Sequence, residues 1–120
     1  MEAERPFAAA SRPFGEAGMR AMATRVADRT VNVAAQVTNP FMIDAGEPWR
    51  GRLGRIAVPT LVPHGAEDPM FPVEHGRALA GEIPGARFLA MEQTGHEVFP
   101  RARWDTVVPA VLGHTAPRRA

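Results

Sequence analysis

The sequence predicts an α/β chain built on a parallel βαβ unit with a C-terminal helix, preceded by a separate helical segment. Three observations predict it. Ile56–Val62 and Ala86–Met91 are short runs rich in apolar and β-branched residues, as buried strands require. Between them Val73, Ala78, Leu79 and Ile83 recur among Glu74, His75, Arg77 and Glu82, the spacing of an amphipathic helix. Each apolar run then ends in a loop with a chemically able side chain, Asp68 after the first and His96 after the second.

Taken in order, residues 1–15 mix Ala, Pro, Phe and Arg without a period and read as irregular and frayed, with Phe7 and Phe14 free to dock elsewhere. Residues 16–38 read as one helix. Met19, Met22, Val26, Val33 and Val37 lie at helical spacing, and Thr38-Asn39-Pro40 ends the run. That stripe suits ordinary packing or a lid over a pocket. Residues 39–55 form a connection, in which Gly51 and Gly54 match no phosphate-binding spacing. Pro72 stands where a helix accepts its first proline, and Pro84-Gly85 stops that helix. Pro63 falls late in the first strand, where it removes a ladder N–H, so the strand is expected to end there. Residues 102–114 carry a helical stripe, with Pro109 expected to kink or split it. Residues 1–55 are therefore assigned to an irregular N-terminus with a helical lid-like segment, and 56–120 to an α/β core.

Composition narrows the function. Without cysteine there is no disulfide, thiolate nucleophile or cysteine-bound metal. A net charge of +1 gives no argument for nucleic acid or an anionic membrane as partner, and the Arg118-Arg119 tail reads as solvated. Neither a signal peptide nor an apolar run of membrane-spanning length is visible, so the cytoplasm is the expected compartment.

The chemistry rests on Asp68 and His96. A βαβ crossover is right-handed with parallel strands, so both strand ends face one sheet edge. Neighbouring strands lie about 4.8 Å apart, which allows the two loops to touch. A carboxylate that orients a histidine is two-thirds of a catalytic triad. Ordinary readings compete: an Asp after a strand often caps a turn, and a Gly-His pair in a loop often does nothing. His64 before Gly65 lines a pocket, fixes the turn or is simply structural. His75 reads as an exposed helix residue, and Glu67 and Glu97 as solvated neighbours. His64, Asp68 and His96 could be imagined around a metal, but no paired-histidine spacing supports one, and no cofactor is expected.

The run from Ile56 to Pro72 with its Gly65-x-x-Asp68 turn, followed by Val73–Ile83, Pro84–Met91 and Gly95-His96, resembles the C-terminal half of α/β-hydrolases. Within that family it is similar to the carboxylic-ester hydrolases that include aclacinomycin methylesterase. The resemblance covers residues 56–114 and extends less surely over 16–55, which look like the end of a lid. It implies ester hydrolysis by a Ser-His-Asp triad with a small-molecule ester or acyl substrate, Asp68 and His96 being the acid and the base. The Gly-x-Ser-x-Gly nucleophile motif is missing. The single serine, Ser11, has no flanking glycine and no preceding strand, and Asp28 and Asp44 are no better placed as nucleophiles. The resemblance therefore implies a fragment or truncated product, inactive by itself, with an upstream complementary half-chain as partner. The alternatives are a non-catalytic remnant or binding module of the same fold, or a dehalogenase- or perhydrolase-type member.

Overall fold

The computed structural model describes residues 2–117, so the Arg118-Arg119 tail lies outside the described residues. The chain divides into two compact units. One runs from Gly15 to Trp49; the other joins Glu2–Phe14 to everything from Arg50 onward.

In the first unit the expected long helix is broken in two, α1 (Glu16–Arg29) and α2 (Val33–Thr38). The break falls on Thr30-Val31-Asn32. Thr30 is extended and turns its hydroxyl back to the Val26 carbonyl at 2.7 Å. Asn32 is extended as well, and its Oδ1 caps α2 by accepting the Ala35 N–H at 2.9 Å. β-Branched residues and a side chain that competes for backbone groups end one helix and start another. Neither helix buries a residue, and Val26, Val33 and Val37 of the expected stripe are exposed. A 3₁₀ turn, Asn39–Met42, continues past Thr38.

In the second unit β1 (Leu61–Gly65) pairs in parallel with β2 (Arg87–Met91), in register from Leu61 opposite Arg87 to Gly65 opposite Met91. The strand starts later than Ile56, because the first partner bond, Arg87 N–H to the Thr60 carbonyl, closes only there. It also runs through Pro63 rather than ending at it. The bonds at the two ends of the ladder, Arg87 N–H to Thr60 O and Ala66 N–H to Met91 O, use the even-numbered residues that flank β1. Backbone groups alternate in direction along a strand. Pro63 is odd-numbered, so its nitrogen faces away from β2 and no ladder bond is lost there.

Helix α3 (Val73–Glu82) connects the strands and packs against both. Its inward residues are Val73, Gly76, Leu79 and Ala80, with Ile83 buried just beyond it, whereas Ala78 is exposed. Hydrophobicity alone passes over Gly76, which is buried because the His64 side chain covers it. Gly85, at φ +72°, makes the turn into β2.

Helix α4 (Trp104–Thr115) contacts β1 and buries Val107. Pro109 does not split it. The carbonyl that Pro109 leaves without an N–H belongs to Asp105, and both residues are exposed, so the missing bond falls on the solvent side of the helix, where its loss costs least. Val62, Ile83, Met91, Val107 and Leu53 form the core, and Leu53 comes from a 3₁₀ segment, Arg50–Arg55. The start, expected to be irregular throughout, is regular in part. Residues Glu2–Phe7 form a 3₁₀ helix, and Ala9 is buried.

Candidate active site

The parallel pair delivers its two following loops to one edge, and they lie in backbone contact. Ala66 N–H reaches the Met91 carbonyl at 2.9 Å and Glu67 N–H the Thr94 carbonyl at 3.0 Å, extending the ladder into the loops. Gly65 permits this approach. A Cβ there would stand 2.4 Å from the Gly95 carbonyl oxygen and 2.5 Å from that of Thr94. Thr94 is fully buried beneath the turn, its hydroxyl on the Glu92 carbonyl at 3.0 Å.

Asp68 and His96 meet at this edge. The Asp68 side chain is only 6% exposed, and its Oδ2 lies 2.8 Å from His96 Nδ1. Its other oxygen, Oδ1, accepts the Met70 N–H at 2.8 Å and the Phe71 N–H at 2.9 Å. Turn-capping and histidine-binding, which compete as readings of the sequence, are thus done by different oxygens of one carboxylate. Burial pushes the Asp68 carboxyl up. The Phe71 N–H, the His96 ring and the Met70 N–H together outweigh it, and its pKa lies below the usual aspartate value. An ionised carboxylate only accepts, so Nδ1 of His96 carries a hydrogen, and in the neutral imidazole Nε2 then has the lone pair. The His96 side chain is 44% exposed, with its ring 5.4 Å from that of Phe71 and 6.4 Å from that of Phe7.

The remaining candidate residues separate clearly. His64, at the end of β1, is largely buried, its Nε2 2.9 Å from the Phe71 carbonyl and 3.9 Å from Asp68 Oδ2. His75 is exposed on α3, as expected. Glu97 is not solvated: its side chain is 8% exposed, pairs with Arg12 and accepts the Gly95 N–H at 3.2 Å. Glu67 is not free either. The Ser11 hydroxyl donates to Oε1 and the Ser11 N–H to Oε2 at 3.0 Å, which hold the carboxyl below its usual range. Among the described residues no group of three His, Asp or Glu side chains is arranged to hold a metal ion.

Sequence reasoning missed the N-terminal segment. The Phe7 carbonyl accepts the His96 N–H at 2.7 Å, and the segment passes so close that a Cβ on Gly95 would lie 2.1 Å from that carbonyl. Arg12 adds a bond from Nε to the Gln93 carbonyl at 3.1 Å. No periodicity marks these residues, and the charge complementarity of Arg12 with Glu97 becomes visible only once the chain is folded. Among the described residues, no hydroxyl hydrogen-bonds to His96 Nε2.

Comparison with known proteins bears on the fold and the family. A family model described as the alpha/beta hydrolase fold matches residues 19–102. Rhodomycin D methylesterase DnrP of Streptomyces peucetius is 38% identical over 63 residues, 52% of this chain and 21% of that protein. Rhodomycin D methylesterase DauP of Streptomyces sp. strain C5 is 40% identical over the same length and shares. The matched stretch thus spans about a fifth of the length of these relatives. Among solved structures, the esterase EaEST from Exiguobacterium antarcticum superposes with a TM-score of 0.50 at 30% identity, covering 58% of this chain and 26% of that one. No described helix is long and apolar enough to cross a membrane.

Proposed function

The chain belongs to the α/β-hydrolase fold family, and from that premise we propose that it carries the base and the acid of a Ser-His-Asp triad for carboxylic-ester hydrolysis. The observation that carries the reading is the 2.8 Å bond from His96 Nδ1 to an Asp68 carboxylate whose other oxygen is already satisfied. Asp68 orients the ring and stabilises the imidazolium, while Nε2 of His96 takes the proton of the attacking hydroxyl and returns it to the leaving alcohol. The nucleophile and the oxyanion donors come from outside these 120 residues, on an upstream half-chain. Ser11 does not serve, since its hydroxyl is committed to Glu67. A small-molecule ester is the substrate class favoured by the similarity to two methylesterases and an esterase.

The test mixes this chain with an upstream half carrying Gly-x-Ser-x-Gly. Ester hydrolysis should appear on mixing and vanish with His96→Ala or Asp68→Asn. Robust His96-dependent turnover by the 120-residue chain alone would overturn the assignment. A second reading, a non-catalytic member of the fold, is favoured by the engagement of Ser11 with Glu67. It predicts no activity with any upstream half, whether the nucleophile offered is Ser or the Asp of dehalogenase-type members.

A further inference from the structure

We infer that His64 is a positioning residue for the His96–Asp68 pair, an inference that rests on the triad reading above. His64 is the fourth residue of β1, opposite Ala90, and its side chain is 15% exposed. It lies beneath the turn that carries Asp68. Its Nε2 is 2.9 Å from the Phe71 carbonyl oxygen, which can only accept, so Nε2 bears the hydrogen. Its Nδ1 faces α3, where a Cβ on Gly76 would stand 2.7 Å away and leave the ring no room to turn toward the helix.

Phe71 is the point through which this bond acts. Its carbonyl is held by His64, its N–H donates to Asp68 Oδ1 at 2.9 Å, and its ring lies 5.4 Å from the ring of His96. One N–H from a strand side chain therefore anchors the far end of the Asp68 turn to the sheet. Without it, the Phe71 carbonyl loses its donor, the far end of the turn from Asp68 to Phe71 keeps only its own local bonds to Asp68 Oδ1, and the Asp68 carboxylate is free to swing away from His96. A histidine that merely filled space under Gly76 would be replaceable by any side chain of similar shape. A donor at Nε2 would not.

Long-range ¹H–¹⁵N spectra of the ¹⁵N-labelled 120-residue chain read the proton position on each ring. The wild type should show His64 as the Nε2–H tautomer and His96 as the Nδ1–H tautomer. His64→Gln places an amide N–H near the position of Nε2 and should leave His96 as Nδ1–H. His64→Leu should lose that signature, with His96 reverting to the mixture of an unrestrained imidazole. If His64→Leu does not fold, His64→Asn takes its place. Its amide is one methylene too short to reach Phe71, so His96 should lose the Nδ1–H form there and keep it in His64→Gln. A His96 tautomer indifferent to these changes, or lost equally in the Gln variant, overturns the inference while leaving the triad reading intact. A wild-type His96 that is not Nδ1–H overturns the His96–Asp68 pairing itself, and with it both readings.

Discussion

Gly65→Ala is the sharpest test of how the fold makes the site, because it adds one methyl group where two loops touch. The new Cβ would lie 2.4 Å from the Gly95 carbonyl oxygen, where ordinary contact begins at 3.4 Å, and 2.9 Å from the Thr94 carbonyl carbon. These are backbone atoms, flanked by a buried Thr94 and by the N-terminal segment against Gly95, so no side-chain tip can yield. The loops must separate by about 1 Å, which stretches the Asp68–His96 bond from 2.8 Å to roughly 3.8 Å, beyond hydrogen-bond range. Overpacking of this kind costs about 1–3 kcal/mol, and a bond to a charged group contributes ~1.5–3 kcal/mol. The two effects share the same loops and do not simply add. With His96 half-exposed, a total near 3 kcal/mol is expected. Urea denaturation should show a midpoint lowered by roughly 2 M at an m-value of about 1.5 kcal/mol/M. In the folded variant His96 should no longer be held as the Nδ1–H tautomer. A Gly65→Ala chain with an unchanged midpoint and an unchanged His96 tautomer would refute the claim that close backbone approach at Gly65 assembles the pair.

Three further outcomes follow from the same geometry. Because the folded Asp68 carboxyl lies below its usual value, its contribution to stability is fully present above the unfolded aspartate pKa of about 3.9 and is lost as pH falls through the folded pKa. The urea midpoint of the wild type should fall across that acid window, and Asp68→Asn should flatten this part of the profile. Arg12→Ala leaves the nearly buried Glu97 carboxylate without its cation and should destabilise by ~1–3 kcal/mol, with Glu97→Gln in the same chain recovering part of the loss in a double-mutant cycle. In the reconstituted enzyme, His96→Ala should lower kcat by about 10²–10⁴-fold, the usual contribution of a positioned general base. An effect on KM alone would assign His96 to binding instead.

The βαβ unit was legible because its signals are local: two apolar runs, an amphipathic stretch of the right length, and Pro-Gly punctuation at Pro84-Gly85. The meeting of Asp68 with His96 was legible because parallel strands bring their C-terminal ends, and the loops that follow, to one edge of the sheet. The boundaries that moved did so for reasons outside the local pattern. Pro63 stays in β1 because its nitrogen faces away from β2, a fact of register that no single strand records. The long helix over 16–38 fails at Thr30–Asn32, where side chains take over backbone bonds that apolar spacing does not count. The share of Phe7, Ser11 and Arg12 in the site was hidden altogether. Their contacts with Gly95, Glu67 and Glu97 join distant parts of the chain through carbonyls and single charges, neither of which leaves a periodic trace.

The central claim is that this chain supplies base and acid to a nucleophile carried elsewhere. Its most direct test is to find where the acyl group goes. Both half-chains are mixed, exposed to an activated ester and quenched, and the intact mass of each is measured. Acylation on the Gly-x-Ser-x-Gly serine of the upstream half is expected, appearing only when the 120-residue chain is present and retains His96 and Asp68. Acylation of Ser11, or of the upstream serine at an undiminished rate with His96→Ala, would contradict it.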